Sequence, residues 1–167
     1  MRTNNDFENY KVNPDEFDIN KSNKAGQGGY AVVYFGKQKR NGRKCAMKKF
    51  FENGNFRTMQ NSFQKEVMIL GQSIHPAILP FIGYSMDKYF CIYIEAMENG
   101  SLAKILKEKE IKLDITQKHI ISFGISCGME YLHSREVIHR DLKSDNILLD
   151  SNLHPYISDF GTSTETF

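Results

Sequence analysis

The sequence predicts an α+β chain in two lobes, a β-rich first part holding one helix and a mostly helical second part. Two observations predict it. Up to residue 97, short apolar runs are separated by turns rich in Gly and Asn, and one segment alone repeats its apolar residues at steps of three and four. After the polar joint Glu98-Asn99-Gly100-Ser101, helical spacing takes over. A third observation points to chemistry. The stretch His139-Arg140-Asp141-Leu142-Lys143-Ser144-Asp145-Asn146 gathers acidic, basic and amide side chains in one loop, and Asp159-Phe160-Gly161 follows thirteen residues after Asn146.

Residues 1–22 are polar, rich in Asn and Asp, and contain Pro14. They read as a lead-in of low regularity, with Phe7, Val12, Phe17 and Ile19 touching the body of the chain. The first lobe is placed at 23–97. Gly26, Gly28 and Gly29 cluster ahead of Tyr30-Ala31-Val32-Val33-Tyr34-Phe35, whose β-branched and aromatic residues favour a strand. Asn41-Gly42 marks a hairpin turn, and Cys45-Ala46-Met47-Lys48-Lys49-Phe50 reads as the return strand. Met59, Phe63, Val67, Leu70 and Ile74 make the stripe of an amphipathic helix, which His75-Pro76 ends. Strands are expected near 79–84 and 89–95, around the turn Met86-Asp87-Lys88.

The second lobe is placed at 98–167. Ser101 can cap a short helix with Leu102, Ile105 and Leu106 on one face. Asp114 and Gln117 resemble a capping box, opening a long helix that carries Ile120, Ile121, Ile125, Met129 and Leu132. Residues 141–146 form a loop. Ile147-Leu148-Leu149 and Tyr156-Ile157 are short strands around the turn Asp150-Ser151-Asn152.

Composition narrows the function classes. A length of 167 residues suits one domain or a fragment of one, and 40% hydrophobic with 25% charged residues is ordinary for a globular chain. The net charge of +2 predicts no strong preference for nucleic acid or acidic membranes. Cys45, Cys91 and Cys127 are odd in number and widely spaced, which reads as small buried hydrophobes in a reducing compartment. An intracellular, cytoplasmic location is the expectation. The start Met1-Arg2-Thr3-Asn4-Asn5-Asp6 has no apolar stretch behind it, unlike a secretory signal, and no run approaches the roughly eighteen apolar residues of a membrane span.

Three groups of residues carry candidate chemistry. Gly26-Gln27-Gly28, followed by Val33, suits a backbone that closes over phosphates, because a Cβ at the contact points would block the approach; from the glycines alone a plain turn is the more ordinary reading. Lys48 sits on a strand that fixes its Cα, so its ammonium can reach phosphate oxygens. It needs a counter-charge, and Glu66 on the following helix is the candidate; Lys49 falls on the opposite face by alternation. In the loop, Asp141 can accept or orient the proton of an attacking hydroxyl, and Lys143 can supply positive charge to a moving phosphoryl group. Asn146 offers an amide oxygen and Asp159 a carboxylate, both suited to Mg²⁺; His139 reads as structural support.

Together these residues resemble a eukaryotic protein kinase, from about Asp15 to Gly161. The resemblance implies the bilobal protein-kinase fold, with ATP and Mg²⁺ as cofactors and ATP held between the lobes. It implies transfer of the ATP γ-phosphoryl to a Ser or Thr hydroxyl of a protein substrate, in signalling. Val33, Ala46 and Leu148 would sandwich the adenine, Glu95, Ala96 and Met97 would form the hinge that reads its edge, and Ile94 would be the gatekeeper. Leu70, Phe81, His139 and Phe160 match the apolar column linking the lobes. Asp141-Leu142-Lys143 is similar to serine/threonine kinases. Together Leu142-Lys143-Ser144, His75-Pro76 and Glu98-Asn99-Gly100-Ser101-Leu102 resemble the tyrosine-kinase-like group.

Two departures stand out. Ala31 occupies the place of the third glycine of G-x-G-x-x-G-x-V. The chain ends at Phe167, soon after D-F-G, without the segment leading to A-P-E or the helices beyond it. The expectation is therefore a chain weakly active or inactive by itself, with apolar faces of the 115–133 helix and the 147–157 strands partly bare and available to a protein partner. A nucleotide-binding or scaffolding fragment without phosphate transfer is the alternative. A small-molecule phosphotransferase of related fold is less favoured by Arg140 and Lys143. A β-hairpin interaction module leaves Asp141, Asn146 and Asp159 without a purpose.

Overall fold

The computed structural model describes residues 7–28, 30–51 and 56–165, with nothing described of the Glu165 side chain. The chain divides into two compact units, Met1–Gln72 with Pro80–Ala96 and Ser73–Leu79 with Met97–Phe167. The first is β-rich and the second carries short strands and helices, an α+β architecture of the expected class.

The first unit is an antiparallel sheet of five strands: β1 (Phe17–Gln27), β2 (Ala31–Gln38), β3 (Lys44–Phe50), β4 (Phe81–Ser85) and β5 (Cys91–Glu95), in the order β1-β2-β3-β5-β4. The helix α1 (Phe56–Gln72) packs against β4. β3 is central, paired on both sides, and its alternation sends Cys45 and Met47 into a cluster with Phe17, Cys91 and Tyr93. Phe17 stacks on Tyr93 at 4.1 Å. On α1, Phe63 is fully buried within an aromatic group of Phe7, Phe50, Tyr84 and Phe90.

The second unit holds β6 (Gly100–Ser101), α2 (Leu102–Glu108), α3 (Ile115–Ser134), β7 (Val137–Ile138), β8 (Ile147–Leu149), β9 (Pro155–Ile157) and β10 (Thr164–Glu165). β6-β8-β9 make one small sheet, and β10 pairs with β7 to make another. Both caps read from the sequence are formed. The Ser101 hydroxyl accepts from Lys104 N–H, and Asp114 and Gln117 bond reciprocally at the start of α3. Among the described residues no helix is long and apolar enough to cross a membrane, and the three cysteines are free thiols.

Several expectations need correction. Residues 17–22, read as irregular lead-in, belong to β1; their polar composition reflects a strand exposed along most of its length. α1 stops at Gln72, so Ile74 is not on its apolar stripe: its N–H bonds to the Tyr131 hydroxyl and its side chain is 91% exposed. Leu106 also points outward, because Ile105 is the buried residue of the short α2. On α3 the inward face is Ile121, Gly124, Gly128 and Leu132 rather than Ile120. Pro155 lies over Gly124, and Ile157 and Ala77 lie over Gly128, so glycines make the close contact and rotate Ile120 into solvent. The expected bare face exists on α3, where Ile115, Ile120 and Phe123 are exposed, Phe123 by 73%. It does not extend to the strands, since Ile147, Leu149 and Ile157 are buried and α3 packs on β9.

Close backbone approach also fixes the edge of the large sheet. A Cβ on Gly36 would stand 2.5 Å from the Asp18 carbonyl oxygen and 2.6 Å from Ile19, whereas one on Gly26 would meet nothing within 4 Å. Gly36→Ala should therefore lower unfolding free energy by about 1–3 kcal/mol, the usual cost of forcing packed backbone apart. Gly26→Ala should stay within about 0.5 kcal/mol of the parent. Urea midpoints of the two variants check this, and equal midpoints would show that the β1–β2 contact yields freely.

Candidate active site

In the first unit the sequence brings an ammonium and a carboxylate together across two elements. Lys48 stands on β3 between Val33 of β2 and Ile92 of β5. Its Nζ lies 2.7 Å from Glu66 Oε1 and 2.8 Å from Oε2, and its side chain is 17% exposed against 3% for Glu66. Glu66 faces inward on α1, next to Val67 and one turn beyond Phe63. Removing one partner of such a pair strands the other, at a cost of about 3–5 kcal/mol when both are buried. Lys49 lies on the opposite face, its Nζ 3.2 Å from the centre of the Tyr89 ring.

The glycine segment precedes this pair. Gly26 and Gln27 end β1 opposite Val33 and Val32, and Gly28 N–H donates to the Ala31 carbonyl. Open space at both Gly26 and Gly28 leaves their backbone accessible. Ala31, in the place of the third glycine, turns its methyl into the core. Gly29 lies outside the described residues. Ala46 is buried between Phe35 and Ile94 in the ladder. Glu95 ends β5, where Arg43 Nη2 donates to its Oε1 at 2.7 Å, a pair the sequence reading missed because fifty-two residues separate the partners.

In the second unit, residues 139–146 form a loop tied down by hydrogen bonds at His139, Asp141, Lys143 and Asn146. The buried His139 accepts from Asp141 N–H at Nδ1, which leaves Nε2–H to donate to the Ser158 carbonyl at 2.9 Å. The ring therefore ties the loop to the residue before Asp159 and packs 5.1 Å from Phe160. Ser158 returns two bonds, from N–H and hydroxyl, to the Asn146 carbonyl. Asn146 Nδ2 donates to the Asp141 carbonyl at 2.8 Å and to Asp141 Oδ2 at 3.1 Å. With the amide nitrogen so engaged, the side-chain oxygen is the remaining polar atom. Beyond Asp159 the Ser163 hydroxyl donates to the His139 carbonyl, and β10 pairs with β7.

Lys143 Nζ lies 2.8 Å from Asp141 Oδ2, with both side chains reaching solvent. The hydrogen bond from Lys143, supported by that from Asn146, holds the Asp141 carboxyl below the usual carboxylate range. Asp141 in turn raises the Lys143 ammonium, with Asp145 and Asp159 adding to the effect. Both groups are charged at neutral pH. Arg140 and Asp159 adopt left-handed backbone, φ 67° and 64°, a conformation that residues with a Cβ hold only where surrounding contacts impose it. Met97, whose carbonyl accepts from Gly100 N–H, and Leu148 on β8 also belong to this unit.

The donors fit a magnesium ion in kind. The ion prefers hard oxygen ligands and is held by one or two carboxylates together with substrate phosphates, which matches an amide oxygen and one carboxylate. Among the described residues no cluster of three or more His, Cys, Asp or Glu gathers.

A family model described as protein kinase domain matches residues 19–166, and the chain belongs to that family. It is 38% identical over 151 residues, 86% of the chain and 22% of the relative, to cysteine-rich receptor-like protein kinase 6 of Arabidopsis thaliana. It is 39% identical over 141 residues, 84% of the chain and 10% of the relative, to the dual specificity protein kinase pyk3 of Dictyostelium discoideum. It is 42% identical over 107 residues, 63% of the chain and 27% of the relative, to the serine/threonine/tyrosine-protein kinase HT1 of Arabidopsis thaliana. The chain thus spans about a quarter or less of the length of these relatives.

Replacing Lys143 by Ala should move the Asp141 titration up toward the ordinary carboxylate value. A depressed folded pKa stabilises above the ordinary pKa and is lost as pH falls through the lowered one, so removing Lys143 shifts that loss to higher pH. Carbon-detected NMR of the Asp141 carboxyl checks this, and an unmoved titration would assign the depression to another group.

Proposed function

We propose that this member of the protein kinase family carries the chemistry of a serine/threonine kinase, transferring the γ-phosphoryl of ATP to a protein Ser or Thr hydroxyl. The observation that carries the reading is the ionised Asp141 bonded to both Lys143 and Asn146 in one loop. Asp141 Oδ2 accepts the substrate hydroxyl proton as the hydroxyl oxygen bonds to the γ-phosphorus. The bond to the β,γ-bridging oxygen breaks and ADP leaves with that electron pair. The lowered pKa of Asp141 suits a group that orients the hydroxyl and accepts its proton late. Lys143, bonded to Asp141, shifts its ammonium to the oxygens of the group in flight, and Lys48, paired with Glu66, steadies the phosphates of the bound nucleotide. Gly26, Gln27 and Gly28 cover the phosphates, while Val33, Ala46 and Leu148 enclose the adenine and Glu95 and Met97 read its edge. Asn146 and Asp159 would hold magnesium, which would supply charge neutralisation at the phosphates.

The narrower readings belong to the same proposal. The tyrosine-kinase-like group rests on Leu142-Lys143-Ser144, His75-Pro76 and the segment Glu98–Leu102, and an intracellular location rests on the free cysteines. A protein partner over α3 is supported by exposed Ile115, Ile120 and Phe123.

Asp141→Asn should lower transfer by about 10²–10⁴-fold, and Lys48→Met and Asp159→Asn should each remove most of it. Labelled γ-phosphate incorporation into a Ser/Thr peptide measures this. Full activity in both Lys48→Met and Asp159→Asn would overturn the assignment.

A further inference from the structure

Residues 7–12 are docked along the outer edge of the first unit's sheet. Val12 N–H donates to the Tyr84 carbonyl and Tyr84 N–H donates to the Tyr10 carbonyl, each at 2.9 Å, so Lys11 pairs in parallel with Tyr84 on the edge strand β4. Val12 fills the space over Gly83. The Tyr10 ring lies over Gly71 of α1, its nearest atoms 2.6 Å from where a Cβ would stand, and meets Phe81 edge-on at 5.6 Å. Phe7 packs 4.3 Å from the Tyr84 ring and 6.4 Å from Phe63 of α1.

Two of these contacts fall on α1, and Glu66 lies between them. At a rise of about 1.5 Å per residue, Phe63 and Gly71 are spaced roughly 12 Å along the axis, with the carboxylate-bearing residue in the interval. The segment thus holds the helix on both sides of Glu66. Glycine is a poor helix former, and the close seat of the Tyr10 ring accounts for one in the last turn of α1. The Tyr84 hydroxyl is buried and, among the described residues, has no hydrogen-bond partner; burial pushes its pKa up to about 12, with Glu8 of the docked segment adding to the shift. Apolar contact and two backbone bonds hold the segment down.

We propose that residues 7–12 form a brace for α1, and that Tyr10 is the positioning residue that keeps Glu66 against Lys48. Its importance for catalysis rests on the reading that this ion pair serves the nucleotide. The brace itself is tested without catalysis. On the full chain, acylation of lysines by acetic anhydride is followed by mass spectrometry, with Glu66→Gln as the reference for an opened pair and exposed Lys37 as the internal control. Tyr10→Ala should speed Lys48 labelling by about tenfold, toward the rate in Glu66→Gln, as expected when a local opening equilibrium loses one packed contact. Lys37 should be unchanged, and Tyr10→Phe, which keeps the ring, should label like the parent. Should Tyr10→Ala fail to fold, Gly71→Ala displaces the ring while keeping it, and should speed Lys48 selectively. Unchanged Lys48 labelling in the folded variant would overturn the brace. So would a uniform rise at all lysines, which would make the segment a support of the whole unit. If labelling behaves as expected yet Lys48→Met leaves phosphoryl transfer intact, the brace stands and the catalytic reading fails.

Discussion

A carboxylate at 3% exposure stays ionised only beside a cation, and much of the first unit is arranged to seat one. Lys48 is fixed because β3 is paired on both flanks, and Glu66 is fixed because its helix is anchored by Phe63 in an aromatic group. Such a pair adds little net stability compared with a well-packed apolar pair of the same volume. A largely buried pair of opposite charges, at 2.7 and 2.8 Å, is the kind of arrangement that gathers at functional sites, as the proposed role of Lys48 requires.

The second unit solves a related problem with hydrogen bonds. A loop that must present a carboxylate, an amide oxygen and an ammonium cannot form a ladder of its own. Its backbone is held instead by side chains: His139 to Ser158, Ser158 to Asn146, and Asn146 to Asp141. This chain of bonds makes the geometry at Asp141 and that before Asp159 interdependent. It also explains how Arg140 and Asp159 keep left-handed backbone. His139 therefore acts as a connector with both ring nitrogens engaged.

Much of this was legible in the chain. Alternation on β3 separated Lys48 from Lys49, the caps at Ser101 and Asp114 marked two helix starts, and residue chemistry singled out the 139–146 loop and Asp159. What was not legible depended on partners distant in sequence. β1 is polar and gains its strand character from the ladder with β2. The inward face of α3 is set by Gly124 and Gly128, which any count of apolar residues ignores. Ile74 follows an apolar spacing that the Tyr131 hydroxyl interrupts. The pairing of β10 with β7 rests on two residues of each, too short for any periodic signal.

The ion pair and the loop are each complete within their own unit, and the functional account requires that one nucleotide engages both. A titration of the full chain with a non-hydrolysable ATP analogue and Mn²⁺, observed by NMR at the Lys48 Nζ and the Asn146 side-chain amide, tests this most directly. The account predicts a shift at Lys48 and paramagnetic broadening at Asn146 with the same midpoint, the broadening lost in Asp159→Asn. Perturbation at one group without the other, or metal broadening independent of the nucleotide, would contradict it.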